Sequence, residues 1–290
     1  EDPLRGFLPS TGPLTQYIEP ESITEFPQDP PYVRCDSGVV HGHIVSPFYD
    51  PMLSKLVYYG EDRAGAISGM LKALDQYVIE GVRHNARLVQ SVLRQPAFQE
   101  GHTPTSFLPT HYPDGFHGVE LTSSELEEFA AAGAVIGRIR QEVLQHSPLS
   151  GGAQPAYDKG TVIVRLGGQF GSAHRVKLEH DNNFVATVEL LDENGEASGS
   201  PRTIAFENDA EYDPHRYQVD LTIDGSSRTV QVLKEELSGE IRMQMHGFDT
   251  EVLLQSPREY ELSRKFLKAP VKANTENMVL SPMPGLLISY

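Results

Sequence analysis

The chain has 290 residues with 39% hydrophobic side chains, enough for two domains that each bury a core. Its formal net charge of −16 argues against general nucleic-acid binding, because an acidic surface repels phosphate. The single cysteine, Cys35, excludes an internal disulfide framework, and no apolar run approaches the roughly 18 residues that a membrane-spanning helix needs.

The first part of the chain alternates strand and helix signals. Tyr32 to Val45 contains β-branched residues in weak alternation, which predicts a pair of strands, and Met52–Tyr59 is typical of a buried strand. Asp62 is placed to cap a helix with one apolar face, and Asn85 to Leu93 predicts a second helix. We therefore expect one compact α+β unit over residues 1–120.

A long helix is predicted next. Thr122 and Glu125 have the spacing of a capping box. The apolar residues that follow step by three or four positions, which indicates an amphipathic helix whose stripe packs on a core rather than on a partner. This stripe consists of Leu126, Phe129, Ala132, Ile136, Ile139 and Val143. Residues 146–160 are rich in Gly, Pro and Ser and are predicted to form a loop.

From Thr161 onwards the period changes to that of short strands separated by turn signals. About eight strands at such spacing predict an antiparallel barrel or sandwich, and closure into a barrel is favoured because it removes exposed strand edges. A helix is predicted at 259–267, before a linker. The strand candidates are Thr161–Leu166, Ala173–Glu179, Phe184–Leu190, Thr203–Phe206, Tyr217–Ile223, Arg228–Leu233, Glu240–His246 and Thr250–Leu254.

Several separate runs resemble biotin carboxylase domains, which belong to the ATP-grasp family. The shared order of these runs over about 85 residues makes the resemblance specific. They are E-D-P at 1–3, F-L-P-S-T-G at 7–12, V-R-C-D-S-G at 33–38, Y-D-P-M-L-S-K-L at 49–56 and Y-G-E-D-R at 59–63.

Three later runs resemble the α subunits of biotin-dependent acyl-CoA carboxylases of the propionyl-CoA type. They are Y-P-D-G-F at 112–116, D-G-S-S-R-T-V-Q at 224–231 and S-P-M-P-G at 281–285. In that family a helix and an eight-stranded barrel, the BT domain, link the biotin carboxylase to its biotinyl carrier and dock onto the β subunit.

The resemblance implies three parts. Residues 1–120 would be the C-terminal part of a biotin carboxylase domain, and residues 121–270 the helix and barrel of the BT domain. Residues 271–290 would be a linker and the first strand of a biotinyl carrier domain. The biotinylated lysine is expected beyond Tyr290, so we expect an internal fragment that is inactive in isolation.

The resemblance also implies a reaction. ATP and Mg²⁺ (or Mn²⁺) would activate bicarbonate to carboxylate biotin, at sites upstream of this chain. A carboxyltransferase β subunit would then pass the carboxyl to propionyl-CoA, giving methylmalonyl-CoA in a hetero-oligomer of the mitochondrial matrix or of a bacterial cytoplasm. A 3-methylcrotonyl-CoA or broad acyl-CoA carboxylase α subunit and a non-catalytic assembly scaffold are the alternatives.

Four charged residues are candidates for a place near the biotin site. The resemblance puts Arg34 near the active-site face, where it would pair with Asp50, and it puts Arg63 and Lys55 in the biotin region. Each has a structural alternative: a salt bridge for Arg34, a strand-entry turn at Asp50, helix-start packing for Arg63 and ion pairing for Lys55.

The loop at 146–159 falls where the family has a hook that contacts the β subunit. Leu149, Pro155 and Tyr157 would be the apolar anchors of this hook, because Pro-flanked and aromatic residues suit interface cores. An ordinary loop is the alternative.

No metal site is expected within the chain. His41 and His43 have the spacing of two ligands on one strand face, but no third ligand stands nearby. Gly167-Gly168-x-x-Gly171 faintly resembles a phosphate loop, and we reject that interpretation because no helix follows it.

Overall fold

The computed structural model describes residues 1–21, 29, 31–50, 52–145, 160–181, 183–207, 213, 216–235 and 240–268. In these residues an α+β unit is followed by a closed β-barrel. None of the helices in this described part has the length and apolarity needed to cross a bilayer.

The α+β unit is built from short strands and four helices. Asp62 caps the first helix as predicted, since its carboxylate accepts the Gly65 N–H at 2.7 Å. The elements are β1 (Gly12–Pro13), β2 (Gln16–Ile18), β3 (Tyr32–Ser37), β4 (Ile44–Val45), β5 (Ser54–Tyr59), α1 (Arg63–Gln76), β6 (Val78–Glu80), α2 (Ala86–Arg94), α3 (Pro96–Gln99) and α4 (Phe107–His111).

The prediction that two strands within residues 32–45 pair with each other is wrong. Both strands form, but β3 pairs with β5 and β4 pairs with β1, all antiparallel. The reason lies in the inner face of β3, where Cys35 stands opposite Leu56 of β5 and both pack on a core around Tyr77. The two-residue β4 adds a single side chain, Val45, to the same core.

Gly81 fixes the approach of β6 to the β1–β2 connection. Its φ is +103°, and a Cβ there would lie 2.1 Å from the Pro13 carbonyl oxygen. We expect Gly81→Ala to cost about 3 kcal/mol of unfolding free energy, because it adds a backbone clash to left-handed strain. Gly101→Ala is the control, since its φ is +87° with nothing within 4 Å of the new methyl. Urea unfolding of both variants measures the difference, and equal losses would contradict the proposed clash.

The second unit is an eight-stranded barrel in which every strand pairs antiparallel with its sequence neighbours and the last strand pairs with the first. The barrel prediction is therefore confirmed. Each predicted strand is present within a few residues of its expected bounds. The strands are β7 (Thr161–Leu166), β8 (Ser172–His180), β9 (Phe184–Leu191), β10 (Arg202–Glu207), β11 (Gln218–Ile223), β12 (Ser226–Glu235), β13 (Glu240–Met245) and β14 (Phe248–Gln255).

Helix α5 (Ser123–Gln145) forms the centre of the barrel core. Its predicted capping box is confirmed, because the Glu125 carboxylate accepts the Thr122 N–H at 2.9 Å. The predicted one-sided stripe is wrong in the middle of the helix, where residues 129–137 are all buried and share one core with side chains of all eight strands. Ala and Gly residues there let the strands close around the helix.

Helix α6 (Pro257–Phe266) packs on the outside of the barrel. Ser256 and Glu259 form its capping box, and Tyr260 packs on Ile163 and Leu191 of the barrel wall. The helix predicted at 259–267 is thus confirmed, starting two residues earlier.

His174 makes the stability of the barrel depend on pH. The side chain is 3% exposed on β8, and burial lowers its pKa from 6.5 to about 4. Between these values the unfolded chain binds a proton that the folded chain does not. Stability should therefore fall as pH falls from 6.5 towards 4, by about 1.4 kcal/mol per pH unit.

The measurement is urea unfolding at about pH 7 and about pH 5. We expect His174→Gln to lose less stability on acidification than the unmodified chain. The control is His102→Gln, whose parent side chain is 78% exposed. An unchanged acid loss in His174→Gln would contradict this role.

Candidate functional site

A cleft of the α+β unit with a volume of about 480 Å³ lies between β5, α1 and the start of α2. Ser54 and Leu56 of β5 form one side and Tyr77 lies in the wall. Glu1 and Asp50 bring carboxylates to the cleft. The β3–β5 ladder, whose inner face packs on the core around Tyr77, also positions the cleft.

A hydroxyl cluster joins this cleft to the core behind it. The Tyr77 hydroxyl lies 2.5 Å from that of Tyr17 and 2.6 Å from Ser54 Oγ, and it accepts the Cys35 thiol at 3.6 Å. Burial raises the pKa of Tyr77 well above its usual range, and burial likewise raises the pKa of Cys35. Both groups are therefore neutral near pH 7, and Cys35 is a poor nucleophile.

The cleft also holds a neutral imidazole. Burial, with a contribution from the Arg87 charge, lowers the pKa of His84 to about 4. None of the described residues that line the cleft is Lys or Arg. These residues do not fit ATP with Mg²⁺, because phosphate needs cations and donors around it. The lining suits contact with a neutral, partly apolar group.

Arg34 and Lys55 project away from the cleft. Side chains alternate along a strand, and Cys35 and Leu56 take the inner face of the β3–β5 ladder. Arg34, Asp36 and Lys55 therefore share the outer face, where Arg34 Nε lies 3.2 Å from Asp36 and the Lys55 side chain is exposed.

Arg63 packs on the end of α3. Its guanidinium lies 4.9 Å from the centre of the Phe98 ring and donates to the Phe98 and Gln99 carbonyls. Asp50 is exposed beside the cleft. Of the four charged candidates, Asp50 is the one that the structure brings to the cleft.

The other predicted sites are outside this region. Leu149, Pro155 and Tyr157, with the rest of the 146–159 hook, lie outside the described residues, as do the S-P-M-P-G run and the linker. His41 and His43 are exposed, and no group of three possible metal ligands occurs among the residues that the structure describes.

The sequence analysis missed a polar junction between the α+β unit and the barrel. Asp249 of β14 lies 2.5 Å from Arg87 of α2 and 2.6 Å from Arg242 of β13. Arg242 also lies 3.2 Å from Glu80, at the end of β6. These four residues, the junction cluster, tie both units together. A sequence signal for it is the charge of Arg242 between the apolar residues Ile241 and Met243 of strand β13.

Comparison with known proteins agrees with this two-part organisation. Residues 1–110 match the family model of the biotin carboxylase C-terminal domain. Residues 130–268 match that of the propionyl-coenzyme A carboxylase BT domain. The boundary between the two matches falls at the start of the buried part of α5.

Curated relatives match along nearly the whole chain. The propionyl-CoA carboxylase alpha chain of Ruegeria pomeroyi is 32% identical over 99% of this chain and 42% of its own length. The mitochondrial propionyl-CoA carboxylase alpha chain of Mus musculus is 35% identical over 100% of this chain and 37% of its own length. The chain thus spans about two fifths of these relatives.

A solved biotin carboxylase subunit of pyruvate carboxylase is 29% identical over 39% of this chain and 23% of its own, at a TM-score of 0.35. The fold and the two family matches define a component of the biotin-dependent carboxylase class. Within that class, the chain belongs to the α-chain family of propionyl-CoA carboxylases.

Proposed function

We propose that the protein carrying this chain carboxylates biotin with ATP and bicarbonate and supplies the carboxyl group for transfer to propionyl-CoA on a β subunit. The observation that carries this proposal is the fusion, in one chain, of a biotin carboxylase C-terminal domain with a propionyl-CoA carboxylase BT domain. The product would be methylmalonyl-CoA. The mitochondrial names of several relatives favour the matrix, with a bacterial cytoplasm as the alternative.

In this proposal the two units have different tasks. The barrel docks the β subunit through the 146–159 hook, with Leu149, Pro155 and Tyr157 as anchors. The cleft beside Asp50 and Tyr77 receives part of the biotin group, since its wall is apolar with neutral hydroxyls. Arg34, Lys55 and Arg63, which the structure does not bring to this cleft, would act on the biotin region from outside it. The cations for phosphate and enolate charge come from elsewhere in the protein, so the isolated 290-residue chain is inactive.

The test uses the native-length protein purified with its β subunit. ATP-dependent fixation of radiolabelled bicarbonate is measured with propionyl-CoA, 3-methylcrotonyl-CoA and acetyl-CoA in turn. The proposal predicts the highest kcat/KM with propionyl-CoA and no fixation by the isolated chain. Faster fixation with 3-methylcrotonyl-CoA would assign the protein to the sibling enzyme, and co-purification without any fixation would indicate a scaffold.

A further inference from the structure

The barrel supplies the C-terminal cap of helix α1. The last carbonyls of a helix lack partners within the helix, and a left-handed glycine or a basic side chain often satisfies them. Helix α1 has neither: Tyr77 follows it with extended dihedrals of −87° and 105°, and its last turn holds no Lys or Arg.

Glutamine side chains of the barrel take that role. Gln231 Nε2 of β12 donates to the carbonyl of Asp75 at 2.7 Å and to the carbonyl of Tyr77 at 3.1 Å. Gln218 of β11 donates to the Gln76 carbonyl between them. Three successive carbonyls at the end of α1 are therefore bound by the barrel.

The barrel also binds the Asp75 side chain. This carboxylate is buried, and at a helix C-terminus it meets the negative end of the helix dipole, so it needs donors. Gln90 of α2 donates to it at 2.7 Å, and His246 Nδ1 lies 3.0 Å from its other oxygen. His246 lies in the tight turn between β13 and β14, with a left-handed φ of 54°.

Tyr77 links these contacts to the cleft. Its carbonyl is held by Gln231, while its side chain lines the cleft and forms the centre of the hydroxyl cluster with Tyr17 and Ser54. The position of this part of the cleft wall thus depends on three barrel side chains, Gln218, Gln231 and His246.

We infer that Gln231 and His246 are positioning residues for the cleft, acting through the Asp75–Tyr77 segment. The barrel is then more than a linker, because it holds the end of α1 in the geometry that the cleft requires. The kinetic part of this inference rests on the proposed function. The structural part does not.

Gln231→Leu tests the structural part in the native-length protein. It keeps a similar volume but leaves two buried carbonyls without their donor, so hydrogen exchange of the peptide spanning residues 75–80 should become about tenfold faster. The matched control is Gln255→Leu, a buried glutamine at the far end of β14 from the His246 turn, which should leave that exchange unchanged.

His246 offers a second matched pair. His246→Asn keeps a side-chain donor near Asp75 and tolerates the left-handed backbone, so exchange should stay close to that of the unmodified protein. His246→Leu removes the donor and should again give about tenfold faster exchange. Because Leu also strains the left-handed backbone, His246→Gly, which removes the donor without that strain, must show the same faster exchange for the difference to report the hydrogen bond.

The kinetic readout is bicarbonate-dependent ATP hydrolysis with free biotin. Because the described lining of the cleft holds no Lys or Arg, displacing its wall should weaken the binding of biotin more than it slows the chemical step. Gln231→Leu should therefore raise the KM for biotin about tenfold and change kcat less than about twofold. Exchange and KM equal to those of Gln255→Leu would overturn the inference. If the unmodified protein shows no such ATP hydrolysis, the proposed function fails, and the exchange measurement alone decides the positioning role.

Discussion

Replacing Phe129 with Ala is expected to destabilise the barrel by about 3–5 kcal/mol. Phe129 is fully buried where α5 enters the core, and its ring meets that of Phe248 edge to face at 5.3 Å. Strands surround the helix, so the wall cannot collapse into the space that the lost ring leaves. The transfer and cavity costs therefore add in full.

The measurement is urea unfolding followed by circular dichroism. Phe170→Ala is the matched control, because the same change at a side chain that is 51% exposed should alter stability by less than about 0.5 kcal/mol. Similar losses for both variants would contradict an enclosed helix and would indicate that α5 packs on one side of the barrel only.

Replacing Asp249 with Ala is expected to cost about 3 kcal/mol, because it leaves two partly buried charged side chains without their main partner. Only 8% of the Asp249 side chain is exposed, and its carboxylate forms salt bridges with both Arg87 and Arg242. Burial lowers the pKa of Arg87, while the hydrogen bond to Asp249 raises that of Arg242. Loss of the carboxylate would leave both guanidinium groups facing each other at the junction.

This loss should separate the two units. We expect the unmodified chain to unfold in one transition and Asp249→Ala to unfold in two, measured by calorimetry. The control is Glu261→Ala on α6, whose ion pairs with Arg258 and Lys265 involve exposed side chains and should contribute nothing measurable. A single transition with unchanged stability in Asp249→Ala would show that the junction cluster does not hold the units together.

Local sequence patterns were sufficient to predict the barrel and most helices. Most barrel strands carry a period-two pattern and are bounded by turn signals, such as Asp224-Gly225, where both residues have left-handed φ values that suit a tight hairpin. The capping box predicted at Thr122 is likewise local and is found where α5 begins, whereas the box at Ser256 was not predicted although its S-x-x-E spacing is equally local.

The enclosure of α5 could not be predicted in the same way. Spacing of the large apolar residues reports one face of a helix, whereas Ala130, Ala131 and Ala134 are as deeply buried as Phe129. Alanine occurs as readily on exposed helix faces, so its burial depends on the surrounding strands. A run of Ala and Gly with few charges was the available signal.

The site was less predictable than the fold because it depends on strand register and on contacts between domains. The pairing of Asp36 with Lys55 decides that Arg34 and Lys55 lie on the outer face. Gln231 and Tyr77 are 154 positions apart, and neither residue type by itself predicts such a contact. The roles proposed for Arg34, Asp50, Lys55 and Arg63 remain predictions.

The central claim is that this chain is part of a biotin-dependent carboxylase α subunit. The most direct test is a streptavidin blot and intact-mass analysis of the native protein that carries the sequence. We expect one covalently bound biotin on a protein about twice the mass of this chain or more, in line with the length of its relatives. A native protein that ends at Tyr290 and carries no biotin would contradict it.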